Sequence, residues 1–173
     1  MTWTHVQGTS SGSATATFGG AVAVGDLVLV TVASSTTITS VSDTVNTYTL
    51  ATQTASGTLF SSIWYTVNTS NTALAITVTG GTFPAVSIDE YSFTTGTVSV
   101  SSTSLGAGSN NQPNCGRVTF ANSPVLIVGS IATNPAATLS PASNFVARET
   151  QPFSAGVNYG LVMIDYENAT ASP

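Results

Sequence analysis

Residues 27–32 read Leu-Val-Leu-Val-Thr-Val, an apolar run without polar alternation, entered through the Gly25-Asp26 turn. Successive side chains of a β-strand point to opposite faces, so a strand with one face in water alternates polar and apolar residues. This run does not alternate, and it predicts a strand covered on both faces. Val125-Leu-Ile-Val128 and Leu161-Val-Met-Ile164 repeat the pattern. Thr37-Ile-Thr-Ser-Val41 and Ala73-Leu-Ala-Ile-Thr-Val-Thr79 instead interleave hydroxyls with apolar residues, as half-exposed strands do.

The whole chain reads as short β-branched runs separated by Gly, Asn, Pro and Ser. Strands are expected at 2–6, 14–18, 27–33, 37–41, 47–52, 59–67, 73–79, 85–93, 98–104, 116–120, 125–132, 145–149 and 158–166. Strong helix formers other than Ala are scarce. The fold class that follows is all-β: one antiparallel β-sandwich domain over 1–173, jelly-roll-like, with about ten to thirteen short strands and almost no helix, built as two packed sheets. Residues 105–115, 133–144 and 151–157 read as long loops, the kind that often carry contacts.

Composition narrows the setting. Of 173 residues, two are arginine, seven are acidic and none is lysine, for a net charge of −5. Thr and Ser number 30 and 24. Two cations against seven acids repel phosphate, so nucleic acid is not an expected partner, nor is an anionic membrane surface. The most apolar stretch, 21–33, is broken at Gly25-Asp26 and falls short of a membrane-spanning helix. Met1-Thr-Trp-Thr-His-Val6 lacks the basic and apolar regions of a secretory signal. A hydroxyl-rich surface without an export signal suits a virion protein released by lysis; a secreted or cell-surface protein is the alternative.

Chemistry-bearing residues are few. Asp89-Glu90 is the one adjacent acid pair, and on a strand its members face opposite ways, so they cannot flank one bond. Val86, Ile88 and Glu90 would share one face, and Asp89, Tyr91 and Phe93 the other, which suggests a bulge nearby. The pair is expected to be neutralised by an arginine or by backbone amides. Arg117 and Arg148 are the only permanent cations, and at least one is expected in an internal carboxylate pair. Asp43 with Asn46, or Asp165 with Glu167, could offer oxygens to Ca²⁺, but neither has the ligand count of a dedicated site.

His5 and Cys115 are the only histidine and thiol, no G-x-S-x-G elbow is present, and no cofactor, metal or catalytic residue is expected. Thr-x-Thr recurs at irregular spacing and describes no solenoid. Asn68-Thr-Ser70 and Asn168-Ala-Thr170 match the N-glycosylation triplet.

The segment 24–93 runs VGDLVLVTVA, ITSVSDTVNTYTLA, SSIWYTVN, ALAITVTG and VSIDEYSF. In this order it resembles β-sandwich modules of tailed-phage virion proteins and bacterial extracellular proteins. The resemblance rests on Gly25-Asp26, Asp43, Asn46-Thr47-Tyr48, Trp64-Tyr65 and Glu90-Tyr91-Ser92. Val45 and Phe93 depart from it, each standing where glycine is common, and no closing Trp-containing strand follows Asn168. The resemblance implies a scaffold of a virion or cell surface and transfers no catalytic residue.

The expected function is a non-enzymatic bacteriophage capsid decoration (cement) protein. It would assemble through loops and strand edges with other virion proteins of capsid or tail and with copies of itself, a trimer being one closed arrangement. With no lysine to guard them, its edges are expected to be short, bulged or covered. The alternative is a carbohydrate-binding or adhesive module of a tail fibre or secreted protein, with Trp3, Tyr48, Trp64 or Tyr65 stacking on surface glycans. A hydrolase using Asp89, Glu90, Asp165 or Glu167 is the third reading.

Overall fold

A computed structural model describes residues 1–106, 114–134 and 137–170. They form eleven strands: β1 (Trp3–Ser11), β2 (Thr15–Thr17), β3 (Leu27–Ser34), β4 (Ile38–Ser42), β5 (Thr49–Ser56), β6 (Leu59–Val67), β7 (Ala75–Gly80), β8 (Ala85–Phe93), β9 (Val125–Thr133), β10 (Val146–Gln151) and β11 (Gly160–Ala169). All pairings are antiparallel. The protein is an all-β sandwich.

The layers number three rather than the expected two. A five-stranded sheet, β1-β8-β3-β6-β5, lies between two three-stranded sheets, β2-β7-β4 and β10-β11-β9. Strand β3 explains why. Val28, Val30 and Val32 point into one core with Ala16, Ile38, Val41, Ile76 and Val78 of the β2-β7-β4 sheet. Leu27 and Leu29 point the other way, toward Met163 of β11 and Leu126 and Val128 of β9. Every residue of β3 is buried, as its unbroken apolar run requires. A smaller apolar cluster of Ala33, Ala85, Tyr159 and Leu161 closes the far end of the second interface.

Strand β8 has the same double burial. Val86 and Ile88 join the first core, and Tyr91 joins the second. Its two apolar sets therefore need no bulge in β8, which pairs with β3 in unbroken register from Tyr91 to Ala85. The irregularity falls in the neighbouring β1, where Val6 is an extra residue between His5 and Gln7.

The other two apolar runs differ. Leu161, Val162 and Met163 of β11 are buried, but β9 is half-buried along its length, because it is an edge strand with a neighbour on one side only. Residues 98–104 and 116–120, expected as strands, are not strands. Their alternation suits a pleated surface, yet none of the described residues supplies a ladder partner. The expected loop 105–115 lies largely outside the described residues. Gly57 sits at the first position of the two-residue β5–β6 turn with φ of 60°, where a hairpin calls for glycine.

Candidate functional site

The chemistry-bearing side chains gather on β8 and its neighbours, and strand geometry distributes them. Asp89 faces the interior beneath β10-β11-β9, and Glu90 faces the opposite interior. Both are buried, with 0% and 1% of their surface exposed. A buried carboxylate must be neutralised or hydrogen-bonded, and each interior does this in its own way.

Beneath the outer sheet, His5 Nε2 lies 3.1 Å from Asp89 Oδ1, and Ser87 Oγ donates to Asp89 Oδ2 at 2.8 Å. The expected arginine or amide is thus replaced by a histidine 84 residues away and a serine two residues back. Next along β8, the Tyr91 hydroxyl donates to Asp165 Oδ2 at 2.9 Å. Arg148 donates through Nε to Asp165 Oδ1 at 2.8 Å and through Nη2 to Glu167 Oε1 at 2.7 Å. Glu167 Oε1 also accepts the His5 backbone N–H. The expected internal arginine pair is present at Arg148, shared between two carboxylates. The acids considered for Ca²⁺, Asp165 and Glu167, already hold a guanidinium between them.

This cluster joins β1, β8, β10 and β11. Arg148 reaches it because it is the extra residue between Ala147 and Glu149 in the β10–β11 register, and a bulge re-aims a side chain. Gly8 on β1 is needed beside it: a Cβ there would lie 2.5 Å from Asp89 Oδ1 and 2.8 Å from Glu149 Oε1. Burial pushes the Asp89 carboxyl above its usual range, against the pull of the His5 and Ser87 hydrogen bonds. Burial, then the Asp89 charge, does the same to Glu149.

In the opposite interior, Glu90 Oε1 accepts the Ala23 backbone N–H at 2.9 Å, and Glu90 Oε2 accepts from Gln7 Nε2 at 2.6 Å. This is the backbone-amide neutralisation expected from the sequence. Asp26, at the start of β3, lies against Glu90. Burial, then a hydrogen bond to Glu90 and the Glu90 charge, push Asp26 up to about 6. Two carboxyl groups in contact favour sharing one proton over both being ionised.

A third network ties the turn at Asp43–Tyr48 to the segments around Val22 and Asn68. Asp43 Oδ1 accepts the backbone N–H groups of Val45 and Asn46, and Asp43 Oδ2 accepts Asn46 Nδ2 and the Tyr48 hydroxyl. Burial alone would raise the Asp43 pKa; these hydrogen bonds outweigh it and hold the carboxyl below its usual range. Asn46 Nδ2 reaches Asn68 Oδ1, and Asn68 Nδ2 donates to the carbonyls of Val22, Ala23 and Ser70. Asp43 and Asn46 therefore build a turn, with their oxygens engaged by N–H and O–H donors. Asn68 is 1% exposed with its amide so engaged, and the folded structure leaves no room for a glycan on it. Asn168 Nδ2 likewise donates to Trp3 O, 3.0 Å away.

The chemistry open to the inter-sheet cluster follows from its order. A nucleophilic triad runs Ser–His–Asp, with the imidazole taking the serine proton. Here Asp89 stands between Ser87 and His5, and Ser87 is 1% exposed. Asp89 and Glu90 face different interiors, so they cannot flank one glycosidic bond. Cys115 is exposed between β8 and β9, whereas His5 rests on Asp89 and edge-on to Tyr91. Among the described residues, no group of three or more His, Cys, Asp and Glu side chains is arranged to hold a metal ion. The cluster can bind two sheets together through buried ions. That role was not legible in the sequence, because no spacing signals a contact between His5 and Asp89.

One recess lies apart from these acids. A cleft of about 420 Å³ opens beside the outer sheet, lined by Thr133, Thr150, Gln151, Phe153 and Val162 among others, with no charged group among its described lining residues. Of the aromatics that could stack on sugars, Trp3, Tyr48 and Trp64 are buried and Tyr65 is half-buried.

Two outcomes follow from this geometry. Replacing Arg148 by Leu leaves Asp165 buried beside Glu167 without its cation. It is expected to cost about 3–5 kcal/mol in urea unfolding, most of it recovered when Asp165→Asn is added. The second concerns pH. The folded-state pKa of Asp26, about 6, lies above its ordinary 3.8, so the folded protein binds this proton more tightly. The stabilisation is complete below about 4 and is lost as pH rises through about 6. Asp89 and Glu149 act in the same direction. Unfolding midpoints are expected to be higher at pH 5 than at pH 8, and Asp26→Asn should flatten that slope and raise the midpoint at pH 8.

Comparison with known proteins finds no family model, curated protein or solved structure that this chain matches.

Proposed function

We propose that the protein is a non-enzymatic structural component of a virion surface, a capsid decoration protein of a tailed bacteriophage that assembles through loops and strand edges. The observation that carries this reading is the use made of its ionisable groups. Asp43, Asp89, Glu90, Asp165, Glu167, His5 and Arg148 are all engaged in hydrogen bonds that fasten loops to strands or sheets to one another. The residues behind the resemblance to virion modules, Asp43, Asn46, Tyr48 and Glu90, are among these fasteners. A chain organised this way is a scaffold, and its hydroxyl-rich surface suits an external particle. Purified protein is expected to co-sediment saturably with empty capsids of the particle it decorates. No binding to capsids or tails of that particle would overturn the reading.

The carbohydrate-binding alternative is favoured by one observation, the uncharged cleft with its threonine hydroxyls, Gln151 amide and Phe153 ring. Neutral sugars are bound by such a mixture of amphipathic ring and fixed hydrogen-bonding groups. On this reading a glycan array returns defined hits that Phe153→Ala and Gln151→Ala remove; an array without hits sinks it.

A further inference from the structure

Among the described residues every sheet is open, so the three sheets present six edge strands: β1 and β5, β2 and β4, β9 and β10. An open edge offers unpaired N–H and C=O groups to any other strand, and proteins blunt edges with charge, proline, brevity or bulges. Five of the six are blunted here. Strand β2 is three residues long. Strands β1, β4, β5 and β10 each carry an extra residue that breaks their register: Val6, Thr39, Ala51 and Arg148.

Strand β9 is the exception. Its nine residues, Val-Leu-Ile-Val-Gly-Ser-Ile-Ala-Thr, hold no charge and no proline. The one register shift in its pairing falls between Tyr166 and Ala169, where the additional residue belongs to β11. From Ile127 to Thr133 the ladder with β11 is continuous, and no described strand pairs with the other side of β9. Leu126, Val128 and Ala132 pack inward, which turns Ile127 and Ile131 to the outer face.

We infer that the free edge of β9 is an interface between two copies of this chain. The two β9 strands pair antiparallel about a two-fold axis at Gly129, joining two three-stranded sheets into one of six strands. A second copy is the occupant because the edge is compatible with its own image. An isologous contact sets each residue against its mirror position, so Ile127 of one copy stands opposite Ile131 of the other. A charge at or beside Gly129 would lie next to its own like charge across the axis, and β9 has none. Among the described residues none of the seven acids is exposed and Arg117 is the one exposed charge, so few charged side chains stand on the surface to clash at a contact. A two-fold contact also closes, leaving no further β9 edge to extend a fibre.

This inference deepens the proposed function by naming the surface through which copies meet, and it rests on that reading only for its purpose. Dimerisation is measured on the protein alone, so it can fail while capsid binding succeeds, and the reverse. Under reducing conditions, which remove any disulfide through Cys115, sedimentation equilibrium of the full chain is expected to give a monomer–dimer equilibrium. Ile127→Lys and Ile131→Lys should each weaken it at least tenfold, while Leu50→Lys on the bulged β5 edge leaves it unchanged. In wild-type protein, amide exchange should slow on concentration within residues 125–133. That measurement stands even if a lysine variant fails to fold. A monomer at every concentration overturns the inference, as does concentration-dependent protection at 116–120 or along β5 in place of β9.

Discussion

The structure depends on a central sheet whose middle strands are covered on both faces. Strands β3 and β8 are apolar on both faces because both faces are covered, and a covered face gives no outlet to a charge. Two neighbouring acids on such a strand, Asp89 and Glu90, must then be accommodated in two separate interiors. The histidine and serine on one side, and the Gln7 amide, Ala23 N–H and Asp26 carboxyl on the other, are consequences of that requirement. Ionic contacts of this sort stabilise less than well-packed apolar residues would, since the desolvation cost offsets much of the attraction. Their effect is to fix register. An Asp89 moved by one residue would face the wrong interior, away from His5.

Much of the fold was legible because burial on both faces and burial on one leave different marks in sequence. Strands β6 and β8 begin and end where their β-branched runs do, and β3 extends one residue further. The third layer was not legible. A run such as Leu27–Val32 says that both faces are covered and is silent about what covers them, and a second outer sheet serves as well as a dimer partner or a loop. The same silence explains the bulge expected in β8, whose two apolar sets could mean a change of face or two buried faces. Residues 98–104 and 116–120 have strand-like alternation without a strand, because a strand exists only when another one pairs with it.

The polar contacts were legible by residue type and only partly by partner. Scarcity of cations made an internal arginine pair predictable, and Arg148 forms one, but its reach to both Asp165 and Glu167 depends on the bulge in β10. The Asp43 and Asn46 turn followed from the known habit of these side chains to bond nearby backbone. His5 with Asp89 could not be seen, since the contact exists only through the pairing of the first strand with the eighth.

Nine charged side chains in 173 residues is already a low count, yet the folded surface carries fewer still. All seven acids are buried or half-buried, and Arg148 is held between two of them, which leaves Arg117 as the only exposed charge among the described residues. The acids that carry the net charge of −5 are thus mostly committed to hydrogen bonds inside the fold, and few charged side chains are free to pair with a partner. What the surface offers for contact is short-range: hydroxyl hydrogen bonds, apolar side chains and open backbone edges. Such contacts are insensitive to salt and depend on shape and register, which are the properties β9 retains and the other five edges have lost.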